Sequence, residues 1–381
     1  MKPVRFLHTS DVHLDTSFSS SGFPSRLGVR KREAIRGTFR RMLEEARDVG
    51  LDAVLIAGDL FEHDRVTPDT VEFLRQQFEN LGRTRVFIAP GNHDPYIHGS
   101  PYHDNSWPSN VHIFRDEEFR SVELQEAGLR ITGFGFNHSQ LSEHMFEKLG
   151  RLPQDGINIV LAHASDVGHT PQGKAQYGPF AVEEIAGKSI HYCALGHYHQ
   201  QHQVTNPFDE TQIWYCGIPE GRGWDEEGAC GYLIGEIQDG QIRIESRSSS
   251  QYPLRTVTID CDGFSTREQI VEAITAKRGT AFDSKTILRL RLTGSIDPRL
   301  EFSTQELSER LTEEALHISW DDRTEPALDF EATAEEKTLR GHFVRTLNER
   351  IARAGEEERP VLERARLYGL QALLGREVRL R

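Results

Sequence analysis

Five short runs carry the side chains able to do chemistry: Asp11-Val12-His13, Gly58-Asp59, Gly91-Asn92-His93-Asp94, Ala162-His163 and Gly196-His197-Tyr198-His199. Each follows an apolar run that reads as a buried strand, and catalytic groups in open α/β sheets gather beyond that strand end. The donors are carboxylate and amide oxygens and imidazole nitrogens, without thiolate, a set that suits Mn²⁺, Fe²⁺ or Zn²⁺ better than Ca²⁺ or Mg²⁺. Asn92 offers a neutral carbonyl oxygen. His93 offers an imidazole that can donate a proton, and Asp94 a carboxylate able to hold that imidazole in one tautomer. Side chains alternate along an extended chain, so Asp11 and His13 are expected on one side of their segment, and His197 and His199 likewise. Singly, each run reads as a turn or strand end; together and in this order they read as a metal site.

The elements that must position these residues alternate at first. Val4 to His8 reads as a strand. A helix follows, with Ile35, Phe39, Met42, Ala46 and Val49 at helical spacing, and Ala53 to Ala57 is the next strand. Thr67 and Pro68 mark the N-cap and first position of a second helix running to Leu81, ahead of the strand Val86 to Ala89. From Leu129 the pattern changes to strands with short links, and Asp239-Gly240 between two alternating runs predicts a hairpin. The expected fold is of mixed α/β (α+β) class: a two-layered β-sandwich core flanked by helices, followed by a small α+β capping domain and C-terminal helices.

Three regions are expected. Residues 1–250 form the main domain, ending at the polar, turn-rich stretch Arg247 to Pro253. Residues 251–322 form a small α+β module, whose helices open at capping boxes Ser265/Glu268 and Ser303/Glu306. Residues 323–381 comprise an acidic linker and two closing helices with apolar stripes through Leu339 to Ile351 and Val361 to Leu374.

Composition narrows the class. Four cysteines in 381 residues, with no C-x-x-C pair, fit buried thiols in a reducing compartment. With neither a leader pattern nor an apolar run long enough to span a bilayer, the cytoplasm is expected and a membrane partner is not. The net charge of -14 sets the whole chain against a polyanion, yet Arg26, Arg30, Lys31, Arg32, Arg36, Arg40 and Arg41 crowd one segment with only Glu33 opposing them. That segment reads equally as a solvated face or as a surface that follows phosphates. The glycine-rich run Gly217 to Gly231 lacks the strand, spacing and lysine of a phosphate loop and reads as turns around Trp224.

The five runs resemble the motif pattern of the calcineurin-like metallophosphoesterases, in matching order. Within that superfamily Thr9-Ser10-Asp11-Val12-His13-Leu14-Asp15, Gly58-Asp59-Leu60-Phe61 and Gly91-Asn92-His93-Asp94 resemble the DNA-repair exonuclease branch of SbcD-type nuclease subunits and their YhaO-like relatives. The resemblance covers about residues 1 to 245 and is only architectural beyond them. It implies two divalent ions, Mn²⁺ first and Fe²⁺ or Zn²⁺ next. It places Asp11, His13, Asp59 and His199 on one ion, and Asp59, Asn92, His163 and His197 on the other. It further implies hydrolysis of DNA phosphodiesters with His93 acting on the leaving group, a homodimer, and an SMC-like coiled-coil ATPase partner that grips the closing helices. One position departs: SbcD-type subunits carry His after Gly-Asp-Leu-Phe, where this chain has Glu62, and the YhaO-like relatives tend to be acidic there. Two other functions would share the ligands or the fold, a phosphoesterase for cyclic nucleotides or phosphoproteins and a non-catalytic binding scaffold.

Overall fold

β1 (Val4–Thr9), β2 (Ala53–Ile56) and β3 (Arg85–Ile88) are apolar on both faces, which a parallel sheet covered on both sides requires. The computed structural model, which describes residues 2–19, 22–170, 175–297 and 300–375, pairs them in parallel and adds β4 (Val111–Ile113) beside β3. Leu7, Val54, Ile56 and Val86 turn to one side, where α1 (Ser25–Val49) and α2 (Pro68–Glu79) cover them with Ile35, Phe39, Met42, Phe73, Leu74 and Phe78. Thr67 caps α2 by accepting from Thr70 N–H, with Pro68 at the first helical position as the sequence predicts. A one-turn helix, α3 (Pro101–Asp104), follows the β3 loop.

The second sheet is built from β5 (Arg120–Leu124), β6 (Leu129–Gly133), β7 (Ile157–His163), β10 (Tyr192–Gly196), β11 (His202–Val204) and β12 (Gln212–Tyr215), in the order β11-β12-β10-β7-β6-β5. The short strands β8 (Ser165–Asp166) and β9 (Pro179–Phe180) pair with each other. β13 (Gly231–Gln238) returns antiparallel to β1 and continues into β14 (Gln241–Ser248). Their link has φ of 49° at Asp239 and 79° at Gly240, the two positive angles of the expected hairpin turn. Phe6, Leu55 and Phe87 of the first sheet share one buried core with Ile131, Ile159, Leu161 and Tyr192 of the second, so the two sheets form the layers of a sandwich. Phe134, Phe136, Met145 and Phe146 cover the second sheet's other face.

The chain falls into two compact units, the second comprising Thr256–Ala281, Arg289–Glu314 and Ile318–Arg381. β15 (Leu254–Asp260), β16 (Ile287–Thr293) and β18 (His317–Asp322) make a three-stranded sheet, and β17 (Ser295–Ile296) pairs with β19 (Glu325–Pro326). The cap of α4 (Arg267–Thr275) is Thr266 with Gln269, one residue beyond the expected box, because the Gln269 side chain accepts from both Ser265 and Thr266 N–H. Ser303 caps α5 (Thr304–Arg310). α6 (Phe330–Glu335) interrupts the stretch expected as linker: Asp329 accepts from Ala332 N–H at 2.8 Å, and the Arg366 guanidinium lies over the Phe330 ring at 4.1 Å. α7 (Leu339–Arg353) and α8 (Arg359–Leu373) pack on each other, and Phe343 approaches Gly369 so closely that an added Cβ would lie 2.1 Å from its ring. Among the described residues no helix is long and apolar enough to cross a membrane.

Candidate dinuclear metal centre

Beyond β1 and β2 the backbone takes a conformation that side chains rarely allow. The angle φ is 51° at Asp11, 49° at His13, 53° at Asp59 and, after β10, 104° at His197. Such positions cost of order 1–3 kcal/mol each and persist only where the surroundings impose them. Here they are imposed by a ladder between two loops: Asp11 and His13 N–H donate to Gly58 and Asp59 carbonyls at 3.0 Å, and Leu14 N–H to Leu60 at 2.9 Å. This corrects the extended geometry expected for Asp-x-His. β1 ends at Thr9, and left-handed turns, not strand alternation, bring Asp11 and His13 together; β10 likewise ends at Gly196, before His197 and His199.

The loops converge closely. One ligand atom from each of Asp11, His13 and His199 lies within 4.8 Å of the others, and the same holds for Asp11, Asp59 and His163. Asp59 Oδ2 sits between the groups, 3.7 Å from His13 Nε2 and 3.5 Å from His163 Nε2, while Oδ1 accepts from His93 N–H. Two glycines permit the approach: an added Cβ would come within 2.5 Å of His163 Nδ1 at Gly58 and 2.4 Å of Asp59 Oδ1 at Gly91.

Asp11 Oδ2 accepts from His197 N–H at 3.0 Å, yet Asp11 Oδ1 and His13 Nε2 are buried without a hydrogen-bond partner among the described residues. Two orphaned buried atoms facing a carboxylate cluster are expensive unless something binds them. His163 points the same way. Its Nδ1–H donates to the Ala57 carbonyl at 2.8 Å, which aims Nε2 into the cluster beside Asn92 Oδ1, 3.0 Å away. A cation would satisfy the two orphaned atoms, and the nitrogen and oxygen donors fit a transition metal. Burial holds the His13 imidazole below its ordinary value and pushes that of His197 to about 4, which keeps both in the neutral form that binds metal. His197 stands apart: its ring lies 5.1 Å from that of His163, centroid to centroid, and its Nε2 faces the Ala175 carbonyl at 3.4 Å.

Asp94 does not orient His93. Its carboxylate accepts from Gly91, Asp59 and Leu60 N–H at 2.7, 2.9 and 2.7 Å and from Tyr102 O–H at 2.8 Å, which locks the β2 and β3 loops together. A fully buried carboxylate seeks the donors nearest it, and here these are backbone amides. Burial and the neighbouring Asp59 push its carboxyl up to about 7. Glu62 takes the orienting role: His93 Nδ1–H donates to Glu62 Oε2 at 2.9 Å and His13 Nδ1–H to Oε1 at 2.8 Å. That hydrogen bond, outweighing burial, pushes the His93 imidazole up to about 9, so the ring carries a proton.

Sequence reasoning also missed Arg222 and Glu226. Glu226 Oε1 lies 2.8 Å from His199 Nδ1 and 2.6 Å from Arg222 Nη2. Their only sequence signal is an i, i+4 pair inside a turn-rich run. The basic segment is partly consumed by the fold. Lys31 is fully buried against Glu220 at 2.6 Å, and Arg36 lies over Phe73 at 4.5 Å and pairs with Asp69 at 2.6 Å. Arg26, Arg30, Arg40 and Arg41 remain exposed.

Residues 4–201 match the calcineurin-like phosphoesterase family. Over 248 residues the chain is 29% identical to the uncharacterized metallophosphoesterase YhaO of Bacillus subtilis, covering 64% of this chain and 59% of that protein. It is 26% identical over 270 residues to the DNA double-strand break repair protein Mre11 of Methanopyrus kandleri, covering 63% and 55% respectively. The Mre11 protein of Methanosarcina acetivorans is 24% identical over 334 residues, covering 84% of this chain and 50% of that protein. The chain thus spans little more than half the length of these curated relatives.

Proposed function

The chain belongs to the calcineurin-like phosphoesterase family, and we propose that it is a metal-dependent phosphoesterase that hydrolyses DNA phosphodiesters at a centre for two divalent ions, Mn²⁺ foremost. The observation that carries the metal reading is the pair of orphaned buried atoms, His13 Nε2 beside Asp59 Oδ2 and Asp11 Oδ1 beside His199 Nε2, each pair 3.7 Å apart. Asp11, His13, Asp59 and His199 would hold one ion and Asp59, Asn92, His163 and His197 the other. When bound, such a pair supplies Lewis acidity to a phosphate and a water nucleophile at neutral pH. The chain's own part is placement and proton transfer. His93, 45% exposed at the rim and protonated against Glu62, is set to give a proton to the departing oxygen.

DNA as substrate is supported by the Mre11 relatives, whose names record double-strand break repair. Exposed Arg26, Arg30, Arg40 and Arg41 offer charges for a phosphate backbone. An SMC-like ATPase partner and a homodimer rest on the same likeness, with Leu339, Val361 and Leu373 as exposed apolar positions on α7 and α8 for the ATPase. The test is a metal-dependent digestion series on single- and double-stranded DNA beside a small phosphodiester. Mn²⁺-dependent cleavage of both classes is expected; cleavage of the small diester alone would favour a cyclic-nucleotide or phosphoprotein substrate.

A further inference from the structure

Three histidines at the centre share a feature that the ligand set does not require: each is held at Nδ1 by a carboxylate belonging to one connected group. Glu62 binds His13 at 2.8 Å and His93 at 2.9 Å, and Glu226 binds His199 at 2.8 Å. Arg222 joins the two carboxylates. Its Nη2 and Nε donate to Glu226 Oε1 at 2.6 and 3.1 Å, its backbone N–H to Oε2 at 2.7 Å, and its Nη1 lies 3.7 Å from Glu62 Oε1. Both carboxylates are largely withdrawn from solvent, with side-chain exposures of 15% for Glu62 and 4% for Glu226, so neither binds its histidine from open water.

The geometry points to Arg222, Glu226 and Glu62 as a positioning bridge that serves one of the two metal sites, that of His13 and His199, and leaves the other to backbone. This inference rests on the proposed dinuclear centre. A carboxylate on one ring nitrogen fixes the tautomer, aims the opposite nitrogen and raises its basicity. His13 Nε2 and His199 Nε2 are the nitrogens so aimed, each 3.7 Å from a carboxylate oxygen of Asp59 or Asp11. On the other side His163 is held by the Ala57 carbonyl and His197 faces that of Ala175, neutral acceptors that substitution of a side chain leaves in place. The bridge also reaches His93, so one guanidinium links the affinity of an ion to the orientation of the proton donor. Arginine suits the post because its rigid planar fork spreads donors over three nitrogens, with Nε and Nη2 on Glu226 and Nη1 toward Glu62, whereas an ammonium is a single compact charge.

Glu226→Gln keeps shape and removes charge, and Arg222→Lys keeps charge and removes the fork. Metal content and affinity are measured by titration of the full chain with Mn²⁺, with electron paramagnetic resonance to tell coupled pairs from single ions and circular dichroism to verify folding. Wild type is expected to take up about two ions per chain. Both variants should retain one ion at wild-type affinity and bind the other about 10- to 100-fold more weakly. The resonance signal should change from that of a coupled pair to that of an isolated ion. Two ions bound at wild-type affinity in both folded variants would overturn the bridge while leaving the dinuclear centre intact. A raised KM for the small phosphodiester with unchanged metal affinity would make Arg222 a substrate-binding group instead. Failure of wild type itself to bind metal would sink the centre on which the bridge rests. Were Glu226→Gln to misfold, Arg222→Lys carries the same titration.

Discussion

A carboxylate at position 62 changes what the neighbouring histidine can do. With Glu62 Oε2 2.9 Å from its Nδ1, His93 is held protonated and turned, whereas Asp94 is occupied by backbone amides. Two substitutions separate these roles. His93→Gln removes the proton donor without touching a proposed ligand, so turnover of a small phosphodiester should fall about 10²- to 10⁴-fold while bound Mn²⁺ stays at the wild-type level. Asp59→Asn removes the carboxylate between the two groups and should lose metal and turnover together. Elemental analysis beside initial rates reads both, and equal metal loss in the two variants would contradict the role given to His93. The sequence showed position 62 only as a departure from a related pattern. Its two partners lie 49 and 31 residues away, and no local period or spacing announces a contact of that range. Arg222 and Glu226 were hidden for the same reason, because a turn-rich run discloses nothing about which strand end it folds against.

At the level of elements the reading was most legible where one period governs a whole segment. The strands before Asp11, Asp59 and Asn92, the Thr67 cap and the Asp239-Gly240 hairpin all follow from local pattern and turn chemistry. It failed where loop met loop. The positive φ angles at Asp11 and His13 come from bonds to the Gly58–Leu60 segment, which extended-chain geometry cannot foresee. The basic segment shows a second limit: Lys31 counts as surface charge in sequence but is buried against Glu220, which also accepts from Gln251 N–H at 2.6 Å. Lys31→Met leaves Glu220 buried without its cation and should lower stability by about 3–5 kcal/mol, read by urea unfolding; a neutral effect would contradict a structural role for the pair. Arg40 and Arg41, both exposed, test the other half of the segment. Arg40→Glu with Arg41→Glu should weaken DNA binding and flatten its salt dependence while sparing hydrolysis of a small phosphodiester. Unchanged DNA binding would return the helix to a solvated face.

For the whole molecule, the match to the family covers residues 4–201, and the proposal about an ATPase partner falls on helices beyond it. Leu339 is 71% and Val361 54% exposed on helices that pack on each other and bury Val344, Leu347, Leu362 and Leu370. Leu339→Asp with Val361→Asp should therefore abolish capture of an SMC-like ATPase and leave small-substrate hydrolysis at wild-type rate; capture at full affinity would place the docking surface elsewhere. The predictions on turnover and bound metal presuppose the metal centre, so the decisive measurement is the metal content of the wild-type chain after Mn²⁺ loading and removal of free ion, taken with the rate of phosphodiester hydrolysis before and after chelation. About two ions per chain, with turnover lost on chelation and restored by Mn²⁺, is the predicted result. A chain that holds no transition metal, or that hydrolyses the diester equally well without one, would contradict the account.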